Sequence, residues 1–220
     1  MNLPANAKFL LFDMDGTLVD TEAVGPQNFI NQFRKYGITP TLEEQELFAK
    51  IWRRDGTDIN QDDWLPEIAH KYGINRSPDD YIKEFYAMYV KAIVAAPALP
   101  GVNNFLQKIK VSGRYKLAVA TASKRHQAEA ISAHHGWQDI FDVLVTSEDF
   151  IKHKPNPEVF LVTIEKLGAK PAQCVVFEDS KNGSIAGSAA GCYVIGIRAG
   201  NSEPQDLSNA DQVVESLRDT

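Results

Sequence analysis

Residues 8–17 read KFLLFDMDGT, in which an apolar run stops at two aspartates followed by a glycine. Four apolar residues in succession, without alternation, are typical of a strand buried on both faces, as in a parallel sheet covered by helices. Such a strand ends at the carboxyl edge of its sheet, where open α/β sheets bind ligands. We therefore expect the chemistry of the protein at Asp13 and Asp15.

The two aspartates need a compensating charge, because an unpaired charge in an apolar layer is unfavourable. Mg²⁺ suits such a place, since it binds few protein carboxylates and keeps other positions for water and phosphate oxygens. Gly16 lets the backbone turn sharply and approach a ligand closely. A calcium-binding EF-hand is excluded, because its loop needs Gly at position six and Glu at position twelve. Counted from Asp13, those positions hold Leu18 and Val24.

The composition describes an ordinary globular chain of 220 residues, 44% apolar and 24% charged, either one domain with an insertion or two small domains. Its net charge of −6, without a Lys/Arg-rich run, argues against a nucleic-acid partner. Cys174 and Cys192 show no metal-ligand spacing and are predicted to be buried free thiols. No signal peptide or membrane span is apparent. We expect a cytoplasmic monomer that does not associate with a membrane.

A helical segment interrupts the chain after its first strand. From about Val19 to Ala96 the apolar residues follow helical periodicity and predict a bundle of about four helices. The stretch AAPALPG at 95–101 then breaks the last helix and leads back. These patterns predict a core of residues 1–18 and 98–220 and a helical insertion of residues 19–97.

Helices and strands alternate after the insertion. The predicted helices are 102–111, 124–135, 157–167 and 182–190, and the predicted strands are 116–120, 141–145, 173–177 and 192–197, with a last short strand near 212–214. Alternation of this kind is typical of a doubly wound parallel sheet. The predicted fold is therefore α/β, with an inserted α-helical bundle.

Three further segments place polar side chains at strand ends or in the loop after a strand. The second core strand runs into Thr121, Ala122 and Ser123, where a hydroxyl and the amide groups of a helix start can cradle a phosphate. The same residues are also ordinary helix caps, and this alternative stays open. Lys154, followed by Pro155, lies in a loop before a helix and can be a phosphate contact or simply a solvated lysine.

The third segment is the apolar run at 175–177, which stops at Glu178 and Asp179. Two acidic strand ends in one parallel sheet would bring up to four carboxylates to one edge. Their repulsion at short range requires a cation. This pattern strengthens the prediction of a metal site that includes Asp13.

These segments, DMDGT at 13–17, TAS at 121–123, KP at 154–155 and ED at 178–179, resemble the four motifs of the haloacid dehalogenase-like superfamily of phosphatases and phosphomutases. The helical insertion after the first motif is similar to the cap of the branch that includes β-phosphoglucomutase and phosphoglycolate phosphatase. The resemblance covers the whole chain. It implies a Rossmann-like core with a helical cap domain.

The resemblance also implies the roles of the site residues. Phosphoryl transfer would pass through an aspartyl-phosphate, with Asp13 as nucleophile and Asp15 as general acid and base. Thr121, Lys154 and Mg²⁺ would neutralise the phosphoryl oxygens, and Ala122 and Ser123 would complete the phosphate site. The metal ligands would be Asp13, the backbone carbonyl of Asp15, Asp179, and Glu178 directly or through water.

Three functions are compatible with this resemblance. The first is a phosphatase for a small phosphorylated metabolite, such as a sugar phosphate or a phosphoglycolate-like compound. The second is a β-phosphoglucomutase-type phosphomutase, whose relatives carry a histidine in the first cap helix where this chain has Gly25. The third is a binding module without catalysis. A dehalogenase is disfavoured, since those relatives lack the second carboxylate, present here as Asp15.

Substrate selection is expected in the helical insertion. Arg53 and Arg54 lie where related caps place their specificity loop, and a guanidinium there can bind a second anion or sugar hydroxyls. The alternative is a solvated helix end in which Trp52 faces the core of the bundle.

Overall fold

The structure, a computed structural model, describes residues 1–21, 24–53, 59–198 and 205–219, except the side chains of Arg53 and Asp219. It divides into two compact units. The first comprises Met1–Glu22 and Ala96–Thr220, and the second comprises Ala23–Ala95.

The first unit is built on one parallel sheet. Its strands are β1 (Phe9–Phe12), β2 (Lys116–Ala120), β3 (Val143–Val145), β4 (Cys174–Glu178), β5 (Tyr193–Ile197) and β6 (Gln212–Val214). They lie in the order β3-β2-β1-β4-β5-β6, and every neighbouring pair is parallel. The strand that precedes the DMDGT segment, β1, is therefore central, between β2 and β4.

Eight α-helices lie in the described part of the chain. The second unit contains α1 (Val24–Lys35), α2 (Leu42–Arg53), α3 (Gln61–Lys71) and α4 (Pro78–Val94). The first unit contains α5 (Val102–Ser112), α6 (Arg125–His134), α7 (Glu158–Leu167) and α8 (Lys181–Ala189). Short 3₁₀ helices cover Pro171–Gln173 and Leu217–Asp219.

Both faces of the sheet are covered by helices. On one face Leu11, Ala118 and Val176 pack with apolar residues of α7 and α8, including Phe160 and Ala186. On the other face Phe12 and Phe177 stack with ring centroids 4.5 Å apart, and Phe105 of α5 contacts Phe12 at 6.2 Å and Phe177 at 5.7 Å. Burial on both faces explains the uninterrupted apolar run of β1. The prediction of a doubly wound α/β core is confirmed.

The second unit is a bundle of four helices, as predicted. Its core is aromatic: Phe29 stacks on Phe48 with centroids 4.5 Å apart, and Phe33 and Phe85 are also buried without exposure. Two buried amides cross-link α1 and α4, because Asn28 donates to the carbonyl of Phe85 at 3.0 Å and Gln32 donates to that of Tyr81 at 3.1 Å. These bonds fix the register of the two helices against each other.

Two predicted element bounds were wrong. The helical segment predicted from Val19 begins at Val24, because Val19 forms an antiparallel bridge with Ala98 and belongs to the first unit. The strand predicted at 141–145 covers only Val143–Val145. At Asp142 the side chain takes part in the bonding to β2, because its carboxylate accepts the amide of Leu117 at 2.8 Å, and the regular backbone pairing begins after this residue. The helical segment predicted to end at about Ala96 ends two residues earlier, at Val94, and the predicted bounds of the other helices and strands differ by one residue or none from the observed ones.

Cys174 and Cys192 are free and buried, which confirms that prediction. None of the helices in the described ranges is long and apolar enough to cross a membrane. The cytoplasmic location and the monomeric state stay predictions.

Candidate active site

The register of the central strands brings the two acidic segments side by side. Phe12 is paired with Phe177, so the residues that follow them, Asp13 and Glu178, leave neighbouring strands at the same level. The amide of Asp13 donates to the carbonyl of Phe177 at 3.0 Å. On the other side Phe12 is paired with Val119 of β2, two residues before Thr121. The carboxyl ends of three adjacent strands therefore meet at Asp13.

Lys154 lies between the two acidic segments. Its ammonium group donates hydrogen bonds to both Asp13 and Glu178, and it lies 3.4 Å from the carbonyl oxygen of Ala120. The side chain is only 10% exposed, and its nitrogen lies 5.1 Å from the centroid of the Phe160 ring on α7. Lys154 is thus a buried ion-pair partner and not a solvated loop residue.

Asp15 points to a group of hydroxyls. Its Oδ2 accepts from Ser123 at 2.6 Å and lies 3.4 Å from Oγ1 of Thr121, while its Oδ1 accepts from Thr21 at 3.0 Å. Ala122, between the first two, is exposed, and the amide of Ser123 donates to Oγ1 of Thr121 at 3.0 Å. Helix α6 begins only at Arg125, so these residues form a loop in front of the helix. Two of the predicted phosphate-binding residues, Thr121 and Ser123, thus contact the predicted general acid.

Sequence reasoning did not identify the residues that hold Glu178 and Asp179 in place. Oε2 of Glu178 accepts from the hydroxyl of Ser180 at 2.9 Å and from its amide at 3.1 Å. Oδ1 of Asp179 accepts from the buried hydroxyl of Thr17 at 2.7 Å. The signal for Ser180 was its place as N-cap of α8, where it also accepts from the amide of Gly183 at 3.0 Å.

Two glycines of the site are required by close approach to these carboxylates. A Cβ atom at Gly16 would lie 2.3 Å from Oδ2 of Asp179, and the backbone there has a φ of +78°. A Cβ atom at Gly183 would lie 1.9 Å from Oε1 of Glu178. Gly16 was predicted to allow a sharp turn near a ligand, and in the structure it makes room for a carboxylate of the site.

Burial and mutual repulsion perturb the ionisable groups. The pKa of Asp13 is raised to about 8, and burial is the largest cause. Attraction to Lys154 lowers this pKa, but it offsets only part of the effect of burial and of the repulsion from Glu178 and Asp15. Burial, and then repulsion from Glu178 and Asp13, raise the pKa of Asp179 well above its ordinary value. Burial alone would lower the pKa of Lys154, but the charges of Asp13 and Glu178 outweigh it and raise that pKa.

The acidic groups of the site fit a bound cation. Asp13, Glu178 and Asp179 are each at most 7% exposed, and the ammonium group of Lys154 contacts Asp13 and Glu178. Among the residues that the structure describes, no group of three or more His, Cys, Asp or Glu side chains is arranged to hold a metal ion, and the ammonium of Lys154 lies between Asp13 and Glu178. Three buried carboxyl groups at one edge of the sheet nevertheless match the preference of Mg²⁺ for carboxylate oxygens.

The two predicted specificity residues, Arg53 and Arg54, belong to the helical unit. Arg53 ends α2 and its side chain lies outside the described residues, as does the whole of Arg54. Trp52, by contrast, is well placed: it packs against Tyr89 with centroids 4.8 Å apart. A Cβ atom at Gly25 would lie 2.1 Å from Cε2 of Trp52. The indole therefore fills the space that a side chain at position 25 would need.

Known proteins resemble this chain over most of its length. A family model for haloacid dehalogenase-like hydrolases matches residues 10–197. The bifunctional riboflavin kinase/FMN phosphatase of Arabidopsis thaliana is 33% identical over 212 residues, which cover 96% of this chain and 53% of that protein. This chain thus spans about half the length of that relative. The fructose-1-phosphate phosphatase YqaB of Escherichia coli is 30% identical over 193 residues, covering 86% of this chain and 95% of that protein.

A solved structure agrees with these sequence matches. The crystal structure of β-phosphoglucomutase from Clostridium difficile has a TM-score of 0.67 and 25% identity, and the match covers 97% of this chain and 92% of that one. The four motifs, the parallel core and the family match lead to the same conclusion. The chain belongs to the haloacid dehalogenase-like hydrolase family.

Proposed function

We propose that this chain is a Mg²⁺-dependent phosphatase that hydrolyses a small phosphorylated metabolite, a sugar phosphate or a phosphoglycolate-like compound, through an aspartyl-phosphate on Asp13. One observation carries the proposal: Asp13 lies beside the ammonium of Lys154, and Asp15, two residues on, faces the hydroxyls of Thr121 and Ser123. The proposed nucleophile, the general acid and the phosphate-binding groups are thus close enough to act on one phosphoryl group.

The reaction follows from the roles that these groups can take. The carboxylate of Asp13 attacks phosphorus, and Asp15 protonates the departing oxygen and afterwards removes a proton from the water that hydrolyses the aspartyl-phosphate. Lys154 and Thr121 balance the charge of the phosphoryl oxygens. A Mg²⁺ ion held by Asp13, Asp179, the carbonyl of Asp15 and, directly or through water, Glu178 would supply further positive charge to the phosphoryl group.

The hydrogen bonds of Asp15 suggest how substrate prepares the acid. Its carboxylate accepts from Thr21 and Ser123 and lies 3.4 Å from the Thr121 hydroxyl. A phosphate that takes over the hydroxyls of Thr121 and Ser123 leaves Asp15 able to turn to the ester oxygen. Substrate binding and placement of the general acid are therefore coupled in this proposal.

The relatives support a small organic phosphate as substrate, since those named above are phosphatases for FMN and for fructose 1-phosphate. The likeness to a β-phosphoglucomutase keeps a phosphomutase as the second candidate. Gly25 argues against it, because the mutases carry a histidine where this chain has Gly25, and the Trp52 ring occupies the space that a side chain would need there. Hydrolysis is therefore the favoured outcome once the phosphoenzyme has formed.

Product analysis tests the proposal directly. A panel of phosphorylated metabolites is assayed for phosphate release with Mg²⁺, and β-glucose 1-phosphate is included with a trace of the bisphosphate. We expect free phosphate to form faster than glucose 6-phosphate. Glucose 6-phosphate as the main product would establish the mutase instead, and no turnover of any ester would favour a binding module.

A further inference from the structure

The loop that contains Lys154 is held by hydrogen bonds near both of its ends. It joins β3 to α7, and near its start the carboxylate of Asp149 accepts from the amide of Thr146 at 2.8 Å. Arg125 and Lys166 donate to the same carboxylate at 2.7 and 2.6 Å. This network anchors the loop to α6 and α7 on the β3 side.

Glu158, the first residue of α7, holds the other part of the loop. Its Oε1 accepts from the backbone amide of Ile151 at 3.0 Å, and its Oε2 accepts from that of Lys152 at 2.9 Å. These two bonds hold the pKa of Glu158 below its ordinary value. The side chains of Ile151 and Lys152 are exposed, so backbone contacts, and not packing of these side chains, fix this stretch.

The rest of the connection is short and also bonded. The amide of Asn156 donates to the carbonyl of His153 at 3.0 Å, and Oδ1 of Asn156 accepts from the amide of Glu158 at 3.1 Å. Lys154 lies between these contacts, and its ammonium reaches Asp13. A carboxylate with both oxygens occupied by adjacent amides is a strong and directional anchor. Only a residue with two acceptor oxygens at position 158 can provide it.

We propose that Glu158 is a positioning residue for the reaction: by binding the two amides it fixes the loop that delivers Lys154 to the nucleophile. The inference rests on the proposed function, because it assigns Glu158 a part in phosphoryl transfer. Helix start positions commonly carry an acidic residue that only stabilises the helix through its dipole. That simpler role predicts a loss of stability without a specific loss of turnover.

Glu158→Gln is the informative variant, because it keeps the size of the side chain and replaces one acceptor oxygen by an NH₂ donor. Glu165→Gln is the matched control, since it removes the same charge from an exposed position on the same helix. Glu158→Asp, which retains two acceptor oxygens on a shorter stem, tests rescue. Full-length proteins are compared with 4-nitrophenyl phosphate and Mg²⁺, and amide hydrogen exchange is followed in parallel.

We expect Glu158→Gln to lower kcat roughly tenfold with a smaller change in KM. The reason is that a displaced Lys154 stabilises the transition state less, where negative charge develops, and affects substrate binding to a smaller extent. The amides of residues 151 and 152 should exchange faster, Glu158→Asp should recover part of kcat, and Glu165→Gln should match wild type. Equal kcat for the two Gln variants, or lost kcat with unchanged exchange at 151 and 152, would overturn the proposal. Wild type and Glu165→Gln report on the phosphatase activity itself, so the two hypotheses can fail separately.

Discussion

The nucleophile of this site should destabilise the metal-free protein at neutral and alkaline pH. Burial first, and then the charges of Glu178 and Asp15, raise the pKa of Asp13 from 3.8 to about 8. Between these values the folded protein holds a proton that the unfolded chain has already lost. The free energy of unfolding is therefore highest below about pH 4 and falls progressively as the pH rises to about 8.

The structure sets the size of this effect. Each pH unit between the two pKa values corresponds to about 1.4 kcal/mol, which gives an upper limit of about 6 kcal/mol. Asp179 shares the same environment and its pKa is also raised, so protons are distributed over the pair and the effect of one residue is smaller. We expect Asp13→Asn to raise the unfolding free energy at pH 8 by at least about 2 kcal/mol.

Thermal unfolding in the presence of a chelator measures this difference. For a chain of this size, about 2 kcal/mol corresponds to an increase in Tm of roughly 4–8 °C at pH 8, and the increase should nearly vanish near pH 4. Asp20→Asn, at an exposed position, is the control and should change little. Mg²⁺ should stabilise wild type more than Asp13→Asn. A variant that is no more stable than wild type at pH 8, or equally stabilised at both pH values, would refute the charge argument.

Three further perturbations have defined outcomes. Gly183→Ala should displace Glu178 and raise the Mg²⁺ concentration needed for half-maximal activity roughly tenfold, and an unchanged Mg²⁺ titration would contradict this. Gly25→Ala should lower the urea-unfolding free energy by about 1–3 kcal/mol through collision with Trp52, and equal stability would show that the indole moves freely. Chelation should abolish phosphate release and Mg²⁺ restore it, with Ca²⁺ a poor substitute; turnover that survives exhaustive chelation would argue against a metal.

The fold was predictable because its signals are local. The apolar run of β1 and the one before Glu178 reflect burial on both faces, and parallel strands bring their carboxyl ends to one edge. That rule alone predicts that Asp13 and Glu178 lie close together. Val19 shows where prediction from local sequence fails. It fits the apolar periodicity of the helix that follows, but it forms a bridge with Ala98, a residue far along the chain that the local pattern does not indicate.

The supporting contacts of the site were not predictable for the same reason. Thr17 binds Asp179 across a separation of 162 residues, and no periodicity indicates such a pair. Gly25 is an unremarkable helix residue in the sequence, and its reason becomes visible only when Trp52 is placed over it. Glu158 resembles any acidic residue at a helix start until its two amide partners are known.

The most direct test of the account is to identify the phosphorylated residue. Asp15→Asn should accept a phosphoryl group from an activated ester and hydrolyse the aspartyl-phosphate slowly, so the intermediate accumulates. Borohydride reduction converts an aspartyl-phosphate to homoserine, and mass spectrometry of the peptide then locates it. Our account predicts homoserine at position 13 in Asp15→Asn and none in Asp13→Asn. Modification at another residue, or none together with continued phosphate release, would contradict covalent catalysis by Asp13.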